Sequence, residues 1–209
     1  MILLLMGGGL DSTSLLLHMY NNLNLRDFSA LHIDYGQKAV LGELNSIKYF
    51  CNKYDINLIE ICVPMNSFSS ATILKNTEIG TEEHTNVLEL RNLVLISIAS
   101  SIVASNGGGC IYVGFHREEE STVFPDATGM FLDELENSIK LGTSFKIELS
   151  APFRFFDREH VLKVGYGLDR DIIDKSYTCY EKPIDGKECG KCVHCITKKE
   201  IINKLEVSI

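Results

Sequence analysis

The fold of this chain is decided by a short stretch near its start, Ile2-Leu3-Leu4-Leu5-Met6-Gly7-Gly8-Gly9-Leu10-Asp11-Ser12-Thr13. Residues 2–6 are apolar, lack the basic lead-in of a signal peptide and are too few to cross a membrane, so they predict a buried strand. The three glycines allow a sharp turn, and a helix is expected to begin at about Leu10. A strand that turns into a helix through glycines predicts the first unit of an α/β fold.

The glycine loop has the chemistry of a site for phosphate or pyrophosphate. Backbone N–H groups that point into one concavity, together with the positive end of a helix dipole, bind anions without net positive charge. Ser12 and Thr13 would add hydroxyl donors, whereas Asp11 is better suited to coordinating Mg²⁺ or fixing the loop. The loop is neither a Walker A motif nor a Gly-x-Gly-x-x-Gly fingerprint. A plain tight turn is the alternative interpretation.

The alternation of strand and helix continues along the chain. Apolar stretches at 28–33, 58–63, 110–113 and 145–149 predict four more strands. Helices are predicted at about 41–50, 88–104, 131–141, 157–166, 169–174 and 196–205. This order predicts a Rossmann-like five-stranded parallel sheet with helices on both faces. Residues 1–168 would form this nucleotide-binding domain, and residues 169–209 a helical, zinc-binding C-terminal segment.

Two of these helices have a predicted buried face. In the helix at 41–50 the apolar residues on one side are Leu41, Leu44, Ile47 and Phe50. In the helix at 88–104 the same criterion selects Leu90, Leu93, Val94, Ser97, Ile98, Ser101 and Ile102. The polar stretches 64–86 and 115–128 predict long loops, and loops of that length in compact domains are often functional.

Size, composition and charge exclude several classes of protein. The chain has 209 residues, 45% of them hydrophobic, which predicts a globular α/β domain with a small appendage. No apolar run reaches the roughly 18 residues that a membrane helix needs. Together with the lack of a secretion signal, this predicts a cytoplasmic protein without a membrane partner. The net charge of −8 and the absence of a basic patch argue against a nucleic-acid partner.

Four of the seven cysteines cluster near the C-terminus, with the spacing Cys179-x9-Cys189-x2-Cys192-x2-Cys195. Overlapping Cys-x-x-Cys turns place thiolates on one side of a knuckle, and four thiolates suit a closed, structural Zn²⁺ site. An iron–sulfur cluster is the alternative, although the proline that usually follows a ferredoxin-type run is absent. His194 is expected at the surface and not among the ligands. Each remaining cysteine is expected as a small buried hydrophobe: Cys51, Cys62 and Cys110.

Five segments together resemble the 7-cyano-7-deazaguanine synthases of the PP-loop ATP pyrophosphatase superfamily. They are Gly8-Gly9-Leu10-Asp11-Ser12-Thr13, Asp34-Tyr35-Gly36-Gln37, Arg91-Asn92-Leu93, Phe124-Pro125-Asp126, and the cysteine segment from Thr178-Cys179-Tyr180 to Cys195. They occur in the order and spacing of that family along the whole chain. No single segment is decisive, but a PP-loop joined to this cysteine pattern is specific.

The resemblance implies an enzyme that uses ATP and Mg²⁺, carries a structural Zn²⁺ and forms a homodimer. Its substrates would be a 7-deazaguanine base with a carboxylate and ammonia. The carboxylate would be adenylated with loss of pyrophosphate, ammonia would give the amide, and a second adenylation would drive dehydration to the nitrile. Hydrogen-bond donors would be needed where the charge of the leaving pyrophosphate develops.

The resemblance also implies roles for individual residues. The catalytic residues would be Asp11, Ser12 and Arg91. ATP would be bound by Met6, Gly7, Gly8, Gly9, Leu10, Asp11, Ser12, Thr13, Asp34 and Gly114. The substrate would be bound by Tyr35, Gln37, Arg91, Asn92, Phe124 and Asp126. Arg91 would neutralise phosphate or carboxylate, with a surface ion pair as the alternative. The two oxygens of Asp126 would accept from N1–H and the 2-amino group of the base, with a turn or helix-cap role as the alternative.

The chain departs from the family pattern at four places. Gly7 replaces a serine, and loss of one transition-state donor can cost about 2.7–4 kcal/mol. Ala127-Thr128 replace Cys-Arg, which removes a guanidinium able to pair with a carboxylate. The position of a basic residue after the late proline is taken by Asp157. The loop 114–125 is one residue longer, and Arg117-Glu118-Glu119-Glu120 charge it differently.

These departures predict a divergent member of the family and leave other functions open. A divergent paralogue would join a 7-deazaguanine to an amine or to a protein partner, as in phage defence, an idea that rests on family-level analogy. A non-catalytic subunit would bind the nucleotide or base without turnover and dock on a partner. A PP-loop enzyme acting on tRNA is a further alternative, against which the acidic balance argues.

Overall fold

A five-stranded parallel sheet forms the centre of the protein. The computed structural model describes residues 1–65, 71–74, 88–117 and 124–207. The strands are β1 (Ile2–Leu5), β2 (Ser29–Asp34), β3 (Asn57–Cys62), β4 (Gly109–Tyr112) and β5 (Ile147–Ser150). Their order is β3-β2-β1-β4-β5, and all neighbours are parallel. The order reverses between β1 and β4, where sheets of this kind bind ligands at the carboxyl ends of their strands.

Helices cover both faces of the sheet, as the alternating pattern predicts. They are α1 (Leu10–Asn21), α2 (Val40–Tyr54), α3 (Arg91–Ser105), α4 (Gly129–Gly142), α5 (Arg158–Leu168), α6 (Ile172–Lys175) and α7 (Val193–Val207). Successive residues of β1 serve opposite faces. Leu4 packs in a core with residues of α1, α2 and α5, whereas Leu3 packs in a core with residues of α3 and α4. Both side chains are completely buried.

The C-terminal segment packs on the α1 face of the sheet. Ile201 and Leu205 of α7 belong to the same core as the buried leucines of α1. The ammonium group of Lys198 donates to the carbonyl of Ser176 at 2.8 Å, which fixes α7 to the end of α6. The division of the chain after residue 168 stays a prediction. Among the helices of the described ranges, none combines the length and the apolar character needed to span a bilayer.

The buried face of α3 is not the predicted one. Leu90, assigned to the buried face, is 54% exposed, while Ile96, Ala99 and Val103 are completely buried. A helix that is apolar on nearly all sides does not reveal by periodicity which side faces the sheet. The face that contains the small residues Ala99 and Ser100 is the buried one, because small side chains allow a helix to approach the strands closely.

The prediction for the buried face of α2 is wrong at Leu41, and Leu44 is only half-buried. Leu41 is 53% exposed, although Ile47 and Phe50 are buried as predicted. The close contact runs instead through Gly42, where an added Cβ would lie 2.5 Å from the ring of Tyr177. This glycine therefore lets the segment that precedes the cysteine cluster rest directly on α2.

Two further details differ from the prediction. β5 begins at Ile147 and not at Phe145, because Ser144 and Phe145 have left-handed backbone conformations that a strand does not accept. Cys62 is exposed at the end of an edge strand, in contrast to the prediction, whereas Cys51 is buried as predicted and Cys110 is half-buried.

The two predicted long loops are described in part. The first contains a short 3₁₀ turn at Thr72–Leu74, and the second contains one at Pro125–Ala127. Residues 66–70, 75–87 and 118–123 lie outside the described part of the chain. The charged residues at 118–120, part of the fourth departure from the family pattern, are among them.

Only one of the three loop glycines is required by the backbone. Gly8 has φ of +73°, and a Cβ there would lie 2.6 Å from the carbonyl oxygen of Glu43. A Cβ at Gly7 would meet nothing within 4 Å, and one at Gly9 would make an ordinary contact 3.8 Å from Thr178. The sharp turn therefore depends on Gly8, which also lets α2 touch the loop.

We expect Gly8→Ala to lower the free energy of unfolding by about 2–4 kcal/mol. A left-handed alanine costs roughly 1–2 kcal/mol, and the overlap with α2 adds a similar amount. Gly7→Ala is the matched control and should change stability by less than about 0.5 kcal/mol. Urea unfolding of the two variants beside the wild type measures both values. Equal stabilities of the two variants would contradict the close approach of α2 to Gly8.

Candidate active site

A cleft of about 520 Å³ opens at the carboxyl edge of the sheet, beside the reversal between β1 and β4. Its walls come from the glycine loop, the residues after β2 and β4, the first turns of α3 and α5, and the segment 177–180. Many predicted site residues line it: Met6, Gly7, Gly9, Asp11, Ser12, Tyr35, Gln37, Arg91, Asn92, Gly114 and Phe124. Residues from distant parts of the chain thus meet in one concavity.

The N-terminus of α1 enters this cleft without a side-chain cap. Gly9 occupies the cap position and offers no side chain, so the first-turn N–H groups keep no intrahelical acceptor. The carbonyl of Gly8 is turned away from the cleft, because it accepts from the Ser46 hydroxyl and from the Tyr177 N–H, both at 2.8 Å. The loop therefore presents donors to the cleft, and this arrangement suits an anion such as a phosphate.

Asp11, on the first turn of α1, lies between two cationic or ionisable side chains. Arg158 approaches its Oδ2 at 3.6 Å, and the Nε2 of His116 approaches its Oδ1 at 3.8 Å. The Oδ1 atom is buried without a hydrogen-bond partner. Sequence reasoning missed both neighbours. Their positions in the sequence could have indicated them, since His116 follows β4 closely and Arg158 begins a helix at the same edge of the sheet.

Asp157, which takes the position of the family's basic residue, is not among the residues that line the cleft. Asp157 is the N-cap of α5, and its side chain accepts from the N–H of His160 at 2.7 Å. The next residue, Arg158, lines the cleft and reaches Asp11. The acidic residue therefore serves the helix, and the cation is supplied one position later.

Arg91 faces the cleft and is not a surface ion pair. Its guanidinium donates a hydrogen bond to the hydroxyl of Tyr35. Burial lowers the pKa of Arg91, but the nearby Tyr35, Tyr180 and Asp126 raise it by a larger amount, so the net shift is upward. Burial also raises the pKa of Tyr35 to about 12. The cleft therefore contains a permanent cation beside a neutral phenol.

Asn92 and Asp126 bind each other. The N–H of Asn92 donates to Oδ2 of Asp126 at 2.9 Å, and the Asn92 side-chain amide donates to the Asp126 carbonyl at 3.3 Å. Because it accepts from the N–H of Asn92, Asp126 caps the start of α3, and its side chain is buried at 7% exposure. Of the two residues that replace Cys-Arg, Ala127 lines the cleft and Thr128 caps α4 by accepting from Phe131.

Glu43, which sequence reasoning missed, lines the cleft next to Gln37 and His32. The Gln37 amide donates to Oε2 of Glu43 at 2.7 Å, while its own oxygen accepts from the Tyr35 N–H at 2.8 Å. Gln37, predicted to bind substrate, thus uses both ends of its amide inside the protein. Nε2 of His32 lies 3.9 Å from the same Glu43 oxygen. Burial raises the pKa of Glu43 to about 7, although Gln37 and Arg91 oppose the shift.

The other predicted ATP-binding side chains do not line the cleft. Leu10 and Thr13 are buried on the core side of α1. The N–H of Thr13 donates to the Gly9 carbonyl within the helix. Asp34 accepts from the N–H of Gly36 at 2.9 Å and so shapes the turn after β2. The backbone of Gly8 supports the loop from behind, as described above.

The four cysteines converge on one point. Their sulfur atoms all lie within 4.8 Å of one another, with Cys192–Cys195 at 3.5 Å and both Cys179–Cys192 and Cys189–Cys195 at 3.9 Å. A tetrahedron with metal–sulfur bonds of about 2.3 Å has sulfur–sulfur edges of about 3.8 Å. The spacing therefore fits a single tetrahedral ion.

The cysteine cluster and the cleft share a wall. Cys179, Tyr180 and His194 all line the cleft. His194 is not at the surface as predicted, because its ring packs on Tyr180 with centroids 3.9 Å apart and its Nε2 atom is buried. Burial lowers the pKa of His194 to about 4, so the ring is neutral. Glu188 holds this wall by accepting from the N–H groups of Thr178 and Cys179.

The sequence matches one family model along nearly its whole length. The model described as queuosine biosynthesis protein QueC covers residues 1–206. The 7-cyano-7-deazaguanine synthase of Methanocaldococcus jannaschii is 28% identical over 213 residues, which cover 93% of this chain and 90% of that protein. The 7-cyano-7-deazaguanine synthase of Methanobrevibacter smithii is 29% identical over 196 residues, which cover 87% and 85%.

Solved structures share the fold at low sequence identity. U34-tRNA thiolase NcsA from Methanococcus maripaludis, with its [4Fe-4S] cluster, has a TM-score of 0.52 and 12% identity over 99% of this chain and 66% of its own length. NMN synthetase from Francisella tularensis has a TM-score of 0.50 and 16% identity over 98% and 76%. At such identities the likeness concerns the fold alone, and it confirms the predicted PP-loop type of α/β sheet.

We expect the stability of the wild type to fall relative to Glu43→Gln as the pH rises from about 5 to 8. The pKa of Glu43 is raised in the folded protein, from 4.5 to about 7. The bound proton therefore stabilises the fold below the unfolded value, and that contribution is lost as the pH rises through about 7. At about 1.4 kcal/mol per pKa unit, the loss is at most about 3 kcal/mol. Urea unfolding of both proteins at each pH measures it, and parallel pH profiles would contradict the shift.

Proposed function

Because this chain belongs to the QueC family, whose model matches residues 1–206, we propose that it is an ATP-dependent ligase that acts on a 7-deazaguanine base. It activates a carboxylate of the base as an acyl adenylate and then forms a carbon–nitrogen bond. The observation that carries this proposal is the uncapped N-terminus of α1 in a cleft whose walls also contain Arg91 and Arg158.

In the first step a carboxylate oxygen attacks the α-phosphate of ATP, and the bond from that phosphorus to the leaving pyrophosphate breaks. The charge that develops on pyrophosphate is received by the first-turn N–H groups of α1 and by Arg158. Ser12 adds a hydroxyl at the same place. These groups are fixed before the reaction, so no reorganisation is needed when the charge appears.

Asp11 is the proposed ligand for the Mg²⁺ that accompanies ATP. Its buried Oδ1 without a hydrogen-bond partner fits a cation. When bound, Mg²⁺ would neutralise charge on the phosphate oxygens. Arg158 and His116, which flank Asp11, would keep the carboxylate in place as the phosphates bind.

In the second step ammonia or an amine attacks the carbonyl carbon of the adenylate, and AMP leaves with the electrons of the carbon–oxygen bond. The product is an amide. The names of the relatives support a further turn of the same cycle, in which the amide oxygen is adenylated and AMP departs to leave a nitrile. A single phosphate site serves both activations.

Recognition of the base is assigned to the wall formed by α3 and the turn Pro125–Ala127. Asp126 does not line the cleft itself; its Oδ2 accepts from the N–H of Asn92, so it positions the lining residues Asn92 and Ala127 of this wall. Phe124 lines the cleft beside it, as does Tyr35. Arg91, which belongs to the family pattern, provides a guanidinium in the cleft beside the phenol of Tyr35.

A structural zinc ion is proposed at the four cysteines. The sulfur spacing favours a single ion over an iron–sulfur cluster, which places several atoms between its thiolates. With four protein ligands the site keeps no open position, so its role is to hold the segment 177–180 against the cleft. A homodimer and a separate protein partner remain predictions from the family resemblance.

The other functions considered gain no support from the relatives. Those described above are named as synthases, which does not favour a non-catalytic subunit or a role in phage defence. The likeness to a tRNA thiolase concerns the fold alone at 12% identity. The cleft retains the charged groups that turnover requires, including Asp11, Arg91 and Arg158.

We expect purified protein to turn over Mg-ATP to AMP and pyrophosphate continuously only when both 7-carboxy-7-deazaguanine and ammonia are present. Arg158→Gln should lower the rate by about 100- to 1000-fold, the effect of losing one donor to a developing charge. Arg170→Gln is the matched control, since Arg170 packs over Tyr166 outside the cleft. Quantified AMP and product by mass spectrometry test the proposal. The absence of AMP with every 7-deazaguanine carboxylate tried would overturn it.

We also expect Cys192→Ser to lose the bound zinc and to lower the melting temperature, because a tetrahedral site loses one of its four ligands. Cys62→Ser is the control, as Cys62 is an exposed cysteine outside the cluster. Elemental analysis gives the metal and its stoichiometry, with one zinc per chain expected in the wild type and control. Iron with inorganic sulfide in the wild type would instead identify an iron–sulfur cluster.

A further inference from the structure

We propose that Glu43, paired with His32, is the general base that takes the proton from the nitrogen nucleophile. This inference rests on the proposed function, since it concerns the second step of that reaction. It is carried by the position of Glu43 in the cleft, by the hydrogen bond that fixes its carboxylate and by the histidine behind it. None of these residues belongs to the five segments that carry the family resemblance except Gln37, which holds Glu43 in place.

The carboxylate of Glu43 is fixed and still reachable from the cleft. Gln37 cannot turn its amide around, because its oxygen accepts from the Tyr35 N–H. Its nitrogen must therefore donate to Oε2 of Glu43, at 2.7 Å. The side chain of Glu43 is 15% exposed, whereas that of His32 is 3% exposed. Glu43 is thus the member of the pair that can touch a nucleophile.

The tautomer of His32 follows from its neighbours. Its Nδ1 lies 3.3 Å from the carbonyl of Met6, which can only accept, so Nδ1 carries the hydrogen. Burial lowers the pKa of His32, so the ring is neutral and its Nε2 presents a lone pair. That Nε2 is buried without a hydrogen-bond partner and lies 3.9 Å from Oε2 of Glu43. At 3.9 Å the two atoms are not hydrogen-bonded, so His32 places a neutral ring with a lone pair beside Glu43.

Asp11, Arg91 and Tyr35 also line the cleft, but each is less suited than Glu43 to accept a proton. Of the described residues that line the cleft, only Asp11 and Glu43 carry a carboxylate. Asp11 lies between Arg158 and His116 at the phosphate end, where its negative charge is needed. Arg91 cannot act as a base, and the phenol of Tyr35, with a pKa of about 12, stays protonated. Of the two carboxylates, Glu43 is therefore the one that lies away from Arg158 and His116 and whose pKa, about 7, suits proton transfer near neutral pH.

The proposed step balances without any further reactant. The lone pair of ammonia forms the carbon–nitrogen bond with the acyl carbon, and the carbon–oxygen bond to AMP breaks. The proton lost from nitrogen passes to the carboxylate of Glu43, which becomes a carboxylic acid beside the neutral ring of His32. Solvent removes the proton before the next cycle. A base whose pKa is near the working pH is the efficient choice for such a transfer.

The charged groups around the pair set the pH at which it works. For Glu43, burial raises the pKa most; Gln37 and Arg91 lower it, and Asp34 raises it. For His32, burial lowers the pKa most. Of the charged groups near the ring, Asp34 on β2 and Glu60 on β3 raise that pKa, and Lys48 on α2 lowers it. With the pKa of Glu43 at about 7, the free base increases as the pH rises through that value.

The experiment separates the two half-reactions in the wild type and in Glu43→Gln, which keeps a carbonyl able to accept from Gln37. Adenylation is measured without amine, as pyrophosphate–ATP exchange that depends on 7-carboxy-7-deazaguanine. Amide formation is measured in single turnovers with ammonia, from pH 6 to 8.5, with rates normalised to the unprotonated amine. We expect exchange within about threefold of the wild type and amide formation slowed by at least about 100-fold.

The pH profile supplies a second signature. The normalised rate in the wild type should rise around pH 7, and this rise should be absent in Glu43→Gln. If the variant forms amide at the wild-type rate, or loses exchange and amide formation to the same extent, the role of Glu43 is overturned. If the wild type itself shows no pyrophosphate–ATP exchange that depends on 7-carboxy-7-deazaguanine, the proposed function fails instead. The two failures are therefore distinguishable.

Discussion

The carbonyl oxygen of Gly8 is the point on which the site depends. It accepts hydrogen bonds from Ser46 of α2 and from the backbone of Tyr177, each at 2.8 Å. These two bonds turn the carbonyl away from the cleft, so the loop presents N–H groups there and not an acceptor that would repel phosphate. They also tie α2 and the approach to the cysteine cluster to the same atom. A side chain at Gly8 would separate these elements, because its Cβ would overlap Glu43.

The cysteine cluster acts on the cleft through the segment that it holds. Cys179 is both a member of the cluster and a cleft residue, and Tyr180 and His194 extend the same wall. Glu188 binds the backbone of Thr178 and Cys179 on one side and Lys198 of α7 on the other, at 3.2 Å. The C-terminal region therefore supplies part of the cleft wall, since the same short segment takes part in both.

Two carboxylates in one cleft are given different tasks by their surroundings. Asp11 lies between Arg158, at 3.6 Å, and His116, at 3.8 Å. Glu43 is buried against Gln37 and His32, and burial raises its pKa to about 7. Desolvation destabilises the ionised form of Glu43, whereas Asp11 has an arginine within ion-pair distance. The two ends proposed for phosphate and for proton transfer thus differ in their surroundings within one cleft of about 520 Å³.

The sequence by itself determined the order of strands and helices, the phosphate-binding character of the loop after β1 and the cysteine set, because each is a local pattern of apolar periodicity, glycine placement or ligand spacing. It did not determine which side of α3 is buried, since that helix is apolar on nearly every side and packing at Ala99 decides. Nor did it point to Glu43, His32, His116 or Arg158. These side chains come from separate elements and meet only because parallel strands bring their carboxyl ends to one edge of the sheet. Their pKa values and partners depend on that meeting, and so only the tertiary structure decided them.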